Sequence, residues 1–208
     1  MASKPPNYPY QPDKAVAYAL RFAAEPNISL FYYYQNGDCA NFVSQCVWAG
    51  YGGYPSPYDF ETLRRNALMM VRMVPRVWAG DSRGASANWS NVEAFYHYVT
   101  DTSKRHGPQG KGGNNRQPFY RLQADAIYPG DVLQFGHPGS GGVYTHSALV
   151  TQKISPATDY SHIKVSQHTY DIANRYLSEL IASWSGRPAS ESPCYMRKIA
   201  FTETWFEK

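Results

Sequence analysis

Apolar residues recur at helical spacing near the start of the chain. Ala15, Tyr18, Ala19 and Phe22 fall on one face of a segment running from Lys14 to about Ala24. Asp13 is placed to cap that helix and Pro26 to end it. A second periodic segment starts at Cys39, with Phe42, Val43, Cys46 and Val47 forming its buried stripe. Asp38 reads as its N-cap and Gly50 as the residue just past its end. Cys39 heads the stripe in the first turn, so its sulfur should face whatever the helix packs on. Residues 59–74, rich in Leu and Met, predict a third helix. Ser90-Asn91-Val92-Glu93 has the form of a capping box and opens a fourth through Phe95, Tyr96 and Val99.

From Pro129 onward the period changes. Residues 131–135, 146–154, 162–170 and 195–201 read as strands. Helices first and strands afterwards predict an α+β fold with an antiparallel sheet. Asn36-Gly37 is a turn signal and residues 51–58 a Gly/Pro/Tyr loop. Residues 101–118 place Lys104, Arg105, Lys111 and Arg116 among Gly, Asn and Pro, and read as a long mobile loop. No internal repeat is present, so residues 1–208 are expected to form one domain.

Composition narrows the classes. The 208 residues suffice for one ordinary core. With 43% hydrophobic and 17% charged residues the chain is globular rather than disordered. A net charge of +4 favours anionic partners without choosing among them. The 18 tyrosines suit half-buried surfaces or a groove for a polar polymer. No run of 18 apolar residues exists, so no membrane span is expected. Met1 to Pro6 contain no apolar signal core, which predicts a protein that is cytoplasmic or exported by lysis or a dedicated secretion system. The basic residues of the 101–118 loop lack interleaved aromatics, so nucleic acid is not an expected partner. A monomer is expected.

Three cysteines, Cys39, Cys46 and Cys194, make no disulfide framework, and no Cys/His spacing suggests a metal. The thiolate is the reactive form of cysteine, and a helix N-terminus stabilises it. Cys39 has that position. Cys46 lies near the opposite end of the same helix, roughly 10 Å along the axis. A thiol nucleophile also needs a base, held by a third polar group. His146 opens a strand on the face that carries Ala148 and Val150. For the third group Gln167, His168 and Asp171 compete. Strict alternation puts Gln167 with Ile163 and Val165, and His168 with Lys164 and Ser166. A bulge would invert this choice. His97, His106, His137 and His162 read as ordinary solvated residues.

The stretch Gly37-Asp38-Cys39-Ala40-Asn41-Phe42-Val43-Ser44-Gln45-Cys46 resembles the nucleophile motif of the bacterial amidase domain family, within the papain-like superfamily that includes NlpC- and CHAP-type cell-wall hydrolases. Asp13 to Ala19 looks like the family's opening helix. Pro129-Gly130-Asp131 with Val132 to Phe135 looks like its strand element, and Thr145 to Thr151 and Ser166 to Asp171 look like its two site-bearing strands. The resemblance implies a papain-like fold with Cys39 as nucleophile, His146 as base and His168 as the orienting group. It also implies an oxyanion held by the Cys39 backbone amide with help from an upstream side chain, for which Tyr34 is a candidate. Segments near 54–88 and 101–121 look like insertions that border a substrate groove. The implied reaction is cofactor-free hydrolysis of an amide through a thioester, with a peptide of peptidoglycan as the expected substrate. A transpeptidase or protein-directed toxin would use the same chemistry on other acceptors, and a binding module would retain only the fold.

Overall fold

The computed structural model describes residues 7–54, 73–113, 122–188 and 191–205. All but the last two residues of the helix expected at 59–74 lie outside this set, as do Arg116 and most of both expected insertions' tips. In chain order the elements are β1 (Asn7–Pro9), α1 (Pro12–Phe22), α2 (Cys39–Gly50), β2 (Gly80–Asp81), β3 (Gly84–Ala85), α3 (Ala87–Ser90) and α4 (Val92–Thr100). There follow β4 (Gly107–Gly112), β5 (Val132–Gly136), β6 (His146–Lys153), β7 (Ile163–Gln167), β8 (Ile172–Tyr176), α5 (Leu177–Ser185) and β9 (Tyr195–Trp205). The fold is α+β with an antiparallel sheet. Strands β9, β5, β6, β7 and β8 lie in that order, β1 and β4 also pair with β9, and β2 and β3 form a separate ribbon.

α1 buries Ala15, Tyr18, Ala19 and Phe22, the face expected from the periodicity. Its N-cap is Gln11 rather than Asp13, because Pro12 takes the first helical position, where a missing N–H costs nothing. α2 is different in kind. All twelve of its residues are buried, not a stripe alone. A helix enclosed on every side must satisfy its polar side chains internally. Ser44 donates to the Trp89 carbonyl at 2.7 Å, and Gln45 accepts from the Tyr18 hydroxyl at 2.8 Å. Asn41 accepts from the Trp89 indole at 2.7 Å while donating to the Tyr32 carbonyl and to Asp38.

The sheet separates two apolar clusters. On one side Val132, Leu149 and Ile199 pack with α1, α2 and α4 through Phe42, Val43, Trp48, Phe95 and others. On the other side Leu133, Phe135, Ala148, Val150, Val165 and Met196 pack on Leu177, Leu180 and Ile181 of α5. The face of β6 that carries His146 therefore meets α5, not α2. Leu177, Leu180, Ile181 and Trp184 recur at helical spacing, and Gly186 closes the helix at φ 67°. The signal for α5 is thus present in the sequence, although the sequence analysis does not assign it.

Three expectations are corrected. The segment read as a loop at 101–118 contains β4, which pairs with β9. Lys104 there donates to the Val99 and Asp101 carbonyls and to Gln109, tying the turn down rather than offering a free basic patch. The capping box at Ser90 does not form: Asn91 caps α4 by accepting from Ala94 N–H at 3.0 Å. Glu93 instead accepts from Tyr144 N–H and pairs with buried Arg197, a stronger offer than a cap. The strand expected at 162–170 stops at Gln167, and the chain turns through Thr169, Tyr170 and Asp171, all with positive φ, into β8.

Gly130 sits at φ +90°, and a Cβ there would lie 2.5 Å from Pro12 Cβ. Only glycine allows the chain to pass α1 and enter β5 at this point.

Candidate active site

A groove of about 510 Å³ opens between the N-terminus of α2, the start of β6, the β7–β8 turn and α5. That is within the usual range for a ligand site. Asn36, Gly37 and Cys39 border it from one side, His146 and Gln167 from the sheet, and Trp184 from α5.

Asp38 is the N-cap residue of α2, yet its side chain caps nothing. One carboxylate oxygen accepts from Tyr34 N–H at 2.9 Å and from the Asn41 amide at 2.7 Å. The other meets His168 Nδ1 at 2.5 Å. His168 Nε2 donates to the Phe22 carbonyl at 2.9 Å, and its ring stacks on Phe42 at 4.1 Å. A carbonyl can only accept, and this carboxylate already accepts two other donors. Nε2 therefore carries a proton, and Nδ1 and Asp38 share a short hydrogen bond in a buried His–Asp pair.

His168 is in this way fully engaged on the α1/α2 side of the sheet. The ring of His146 meets Gln167 instead, Nε2 to Oε1 at 2.7 Å. The assignment of this bond follows from its neighbour. Gln167 Nε2 donates to the Thr169 carbonyl at 3.1 Å, which turns the amide oxygen toward His146. His146 Nε2 must then carry the proton, leaving Nδ1 with a free lone pair in the neutral ring. Alternation along β7 puts Gln167 on the face of His146 and His168 on the opposite one, and the register irregularity between Val165 and Gln167, in the pairing with β8, leaves that alternation unchanged. The placement of His168 beside His146 implied by the family resemblance is thus not what the structure has. Asp171, the other alternative, accepts from the Tyr33 hydroxyl at 2.8 Å through Oδ2. Its Oδ1 is buried with no hydrogen-bond partner among the described residues.

The sulfur of Cys39 faces the backbone N–H groups of Ser147, Ala40 and Cys39 itself, which favour a thiolate. Burial outweighs them, and with Asp38 next in the chain the thiol is pushed up to about 11. Burial also lowers the pKa of His146, opposed in part by its hydrogen bond to Gln167. At rest Cys39 is therefore a neutral thiol and His146 a neutral imidazole. The thiolate expected at a helix N-terminus does not form here, because at 5% exposure desolvation exceeds the dipole.

Tyr34 is not at the groove. Its hydroxyl accepts from Ala85 N–H at 3.0 Å, and its ring packs on Tyr32. Residues the sequence analysis did not assign to the site include Asn36, His137, Arg175 and Trp184. The Trp184 ring centroid lies 5.7 Å from that of His146 and 6.1 Å from that of His137.

A family model described as "Putative amidase domain" matches residues 9–190. The chain belongs to this family. Every described residue that lines the groove falls inside the matched span of the amidase domain. Family membership points to amide hydrolysis as the chemistry. No curated protein and no solved structure matches the chain. Among the described residues of the amidase domain, no group of three or more His, Cys, Asp or Glu side chains could hold a metal ion, and no helix is long and apolar enough to cross a membrane.

Proposed function

We propose that this amidase domain cleaves a peptide amide through a thioester on Cys39, with His146 as base and Gln167 as the group that orients it. The observation that carries the reading is the tautomer of His146, which leaves Nδ1 unprotonated on a ring that lines the same groove as Cys39. As Sγ attacks the carbonyl carbon, its proton passes to Nδ1. The imidazolium then returns that proton to the leaving amine, and the C–N bond breaks. Water, deprotonated by His146, attacks the thioester and releases the carboxylic acid and the thiol. A neutral resting pair suits this sequence, because proton transfer and attack occur together.

The tetrahedral oxygen is held by the Cys39 backbone N–H at the start of α2. Asn36, a side chain with two N–H donors that borders the groove, takes the second position in place of Tyr34. His168 and Asp38 hold the helix that presents Cys39 and take no part in proton transfer. Peptidoglycan peptides are the substrates to assay first.

The test is mass spectrometry of the protein after mixing with peptide amides, with and without hydroxylamine. An acyl adduct on Cys39 that hydroxylamine removes as a hydroxamate is expected. Amide cleavage that survives Cys39→Ala overturns the reading.

A further inference from the structure

The groove has an uneven charge. Apart from the titratable rings of His137 and His146, Arg175 is the one charged side chain among the described residues that line it, and none of these is a carboxylate. Arg175 lies in β8, just ahead of α5, on the wall that also carries Tyr170 and Ile172.

Its present partner holds it loosely. Nε lies 3.7 Å from the Glu179 carboxylate, and Nη2 lies 3.4 Å from the Glu179 backbone carbonyl. Both distances exceed the roughly 2.7–2.9 Å of a tight charge-assisted bond. The Glu179 side chain is 57% exposed, so water weakens the pair further. The planar fork of the guanidinium keeps donors for a carboxylate, which it matches with two parallel bonds.

The wall that presents Arg175 is built under strain. Thr169, Tyr170 and Asp171 hold φ of 69°, 78° and 45°, three successive non-glycine residues in the left-handed region. Each costs on the order of 1 kcal/mol or more, and such backbone persists where its surroundings dictate it. Here Gln167 holds the Thr169 carbonyl and Tyr33 holds Asp171. The turn leaves Tyr170 85% exposed at the groove, an aromatic surface offered to a ligand.

We infer that Arg175 determines the specificity of this groove and that its substrates carry a carboxylate beside the scissile amide. One cavity of about 510 Å³ contains both Cys39 and Arg175, so the carboxylate belongs to a residue flanking the cleaved bond and not to a distant part of a polymer. The inference rests on Cys39 being the reactive group of the groove.

Alkylation of Cys39 at pH 9, where His146 is neutral, isolates the effect of Arg175. Iodoacetate and iodoacetamide form the same Sγ–C bond with loss of iodide and differ only in their carboxylate. The quantity to follow is the ratio of their rates at Cys39, read by peptide mass spectrometry and divided by the ratio for N-acetylcysteine. A wild-type value several-fold above one is expected, falling to one or below in Arg175→Gln and lying between in Arg175→Lys. A wild-type value of one or less overturns the inference, as does an Arg175→Gln value equal to wild type. Failure of Cys39 to react with either reagent in the folded protein instead removes the thiol mechanism itself. Should Arg175→Gln not fold, wild-type protection decides. Succinamate slowing the iodoacetamide reaction several-fold more than succinamide supports the assignment, and equal protection overturns it.

Discussion

Gln167 accepts a 2.7 Å hydrogen bond from His146 Nε2 while its own amide donates to the carbonyl of Thr169. Gln167 therefore joins His146 to the strained turn and fixes the proton of its neutral ring on Nε2. Gln167→Ala should lower kcat/KM by roughly 10- to 100-fold, part of the ~10²–10⁴ that a positioned base supplies. The hydrogen bond also raises the His146 pKa, so its loss should move the acid limb of the rate profile to lower pH. Steady-state kinetics across pH 4–8 check both. An unmoved acid limb with an unchanged rate would exclude Gln167 from the site.

His168 should behave differently. It and Asp38 are each 1% exposed and form one bridge, with Asn41 and Tyr34 N–H completing the shell of the carboxylate. Removing His168 leaves the Asp38 carboxyl buried without its partner, at a cost of about 3–5 kcal/mol. His168→Ala should lower the melting temperature by on the order of 10 °C, since each kcal/mol moves a domain of this size by about 2–4 °C. Differential scanning calorimetry of His168→Ala beside Gln167→Ala separates the two roles. The first should lose stability and the second activity.

Burial holds the Cys39 thiol at about 11. Only the thiolate is alkylated, so the iodoacetamide rate should rise about tenfold per pH unit from pH 7 to 10 without a plateau near pH 6. A low-pH plateau that disappears in His146→Ala would instead reveal a thiolate–imidazolium pair already formed at rest.

The hydroxyls of Tyr10 and Tyr18 are buried, and burial raises both pKa values well above 10. In the unfolded chain they ionise near pH 10. The folded state keeps its protons longer, so its stability is whole below about pH 10 and falls as pH rises beyond it. Absorbance at 295 nm should show a reversible phase from exposed tyrosines and a later step that coincides with loss of far-ultraviolet dichroism. Ionisation of all tyrosines in one phase before unfolding would contradict the packing.

Much of the framework was legible because it depends on short-range periodicity. The buried face of α1, the start of α2 at Cys39, and strands β5, β6 and β7 each follow from the spacing of apolar residues within a few turns or pleats. The alternation that puts Gln167 with Val165 and against His168 is of the same kind, and on this point period two describes the geometry better than the family resemblance. α5 was legible too, through Leu177, Leu180, Ile181 and Trp184.

What the sequence by itself determined is therefore α1 with its apolar face, the start of α2 and the central strands β5, β6 and β7, since those are local consequences of residue spacing and sterics. It also marked Cys39 and His146 by their positions at the ends of elements. Only the tertiary structure decided which polar groups those ends would meet. Asp38 could have capped α2 but found His168 130 residues away, and Glu93 could have closed a capping box but found Arg197 104 residues away. A buried charge takes the partner that best replaces water, and that partner is chosen by how layers pack, which no local pattern encodes. The same reason sets the thiol of Cys39: its helix position favours the thiolate, but the depth to which the surrounding layers bury it keeps it protonated.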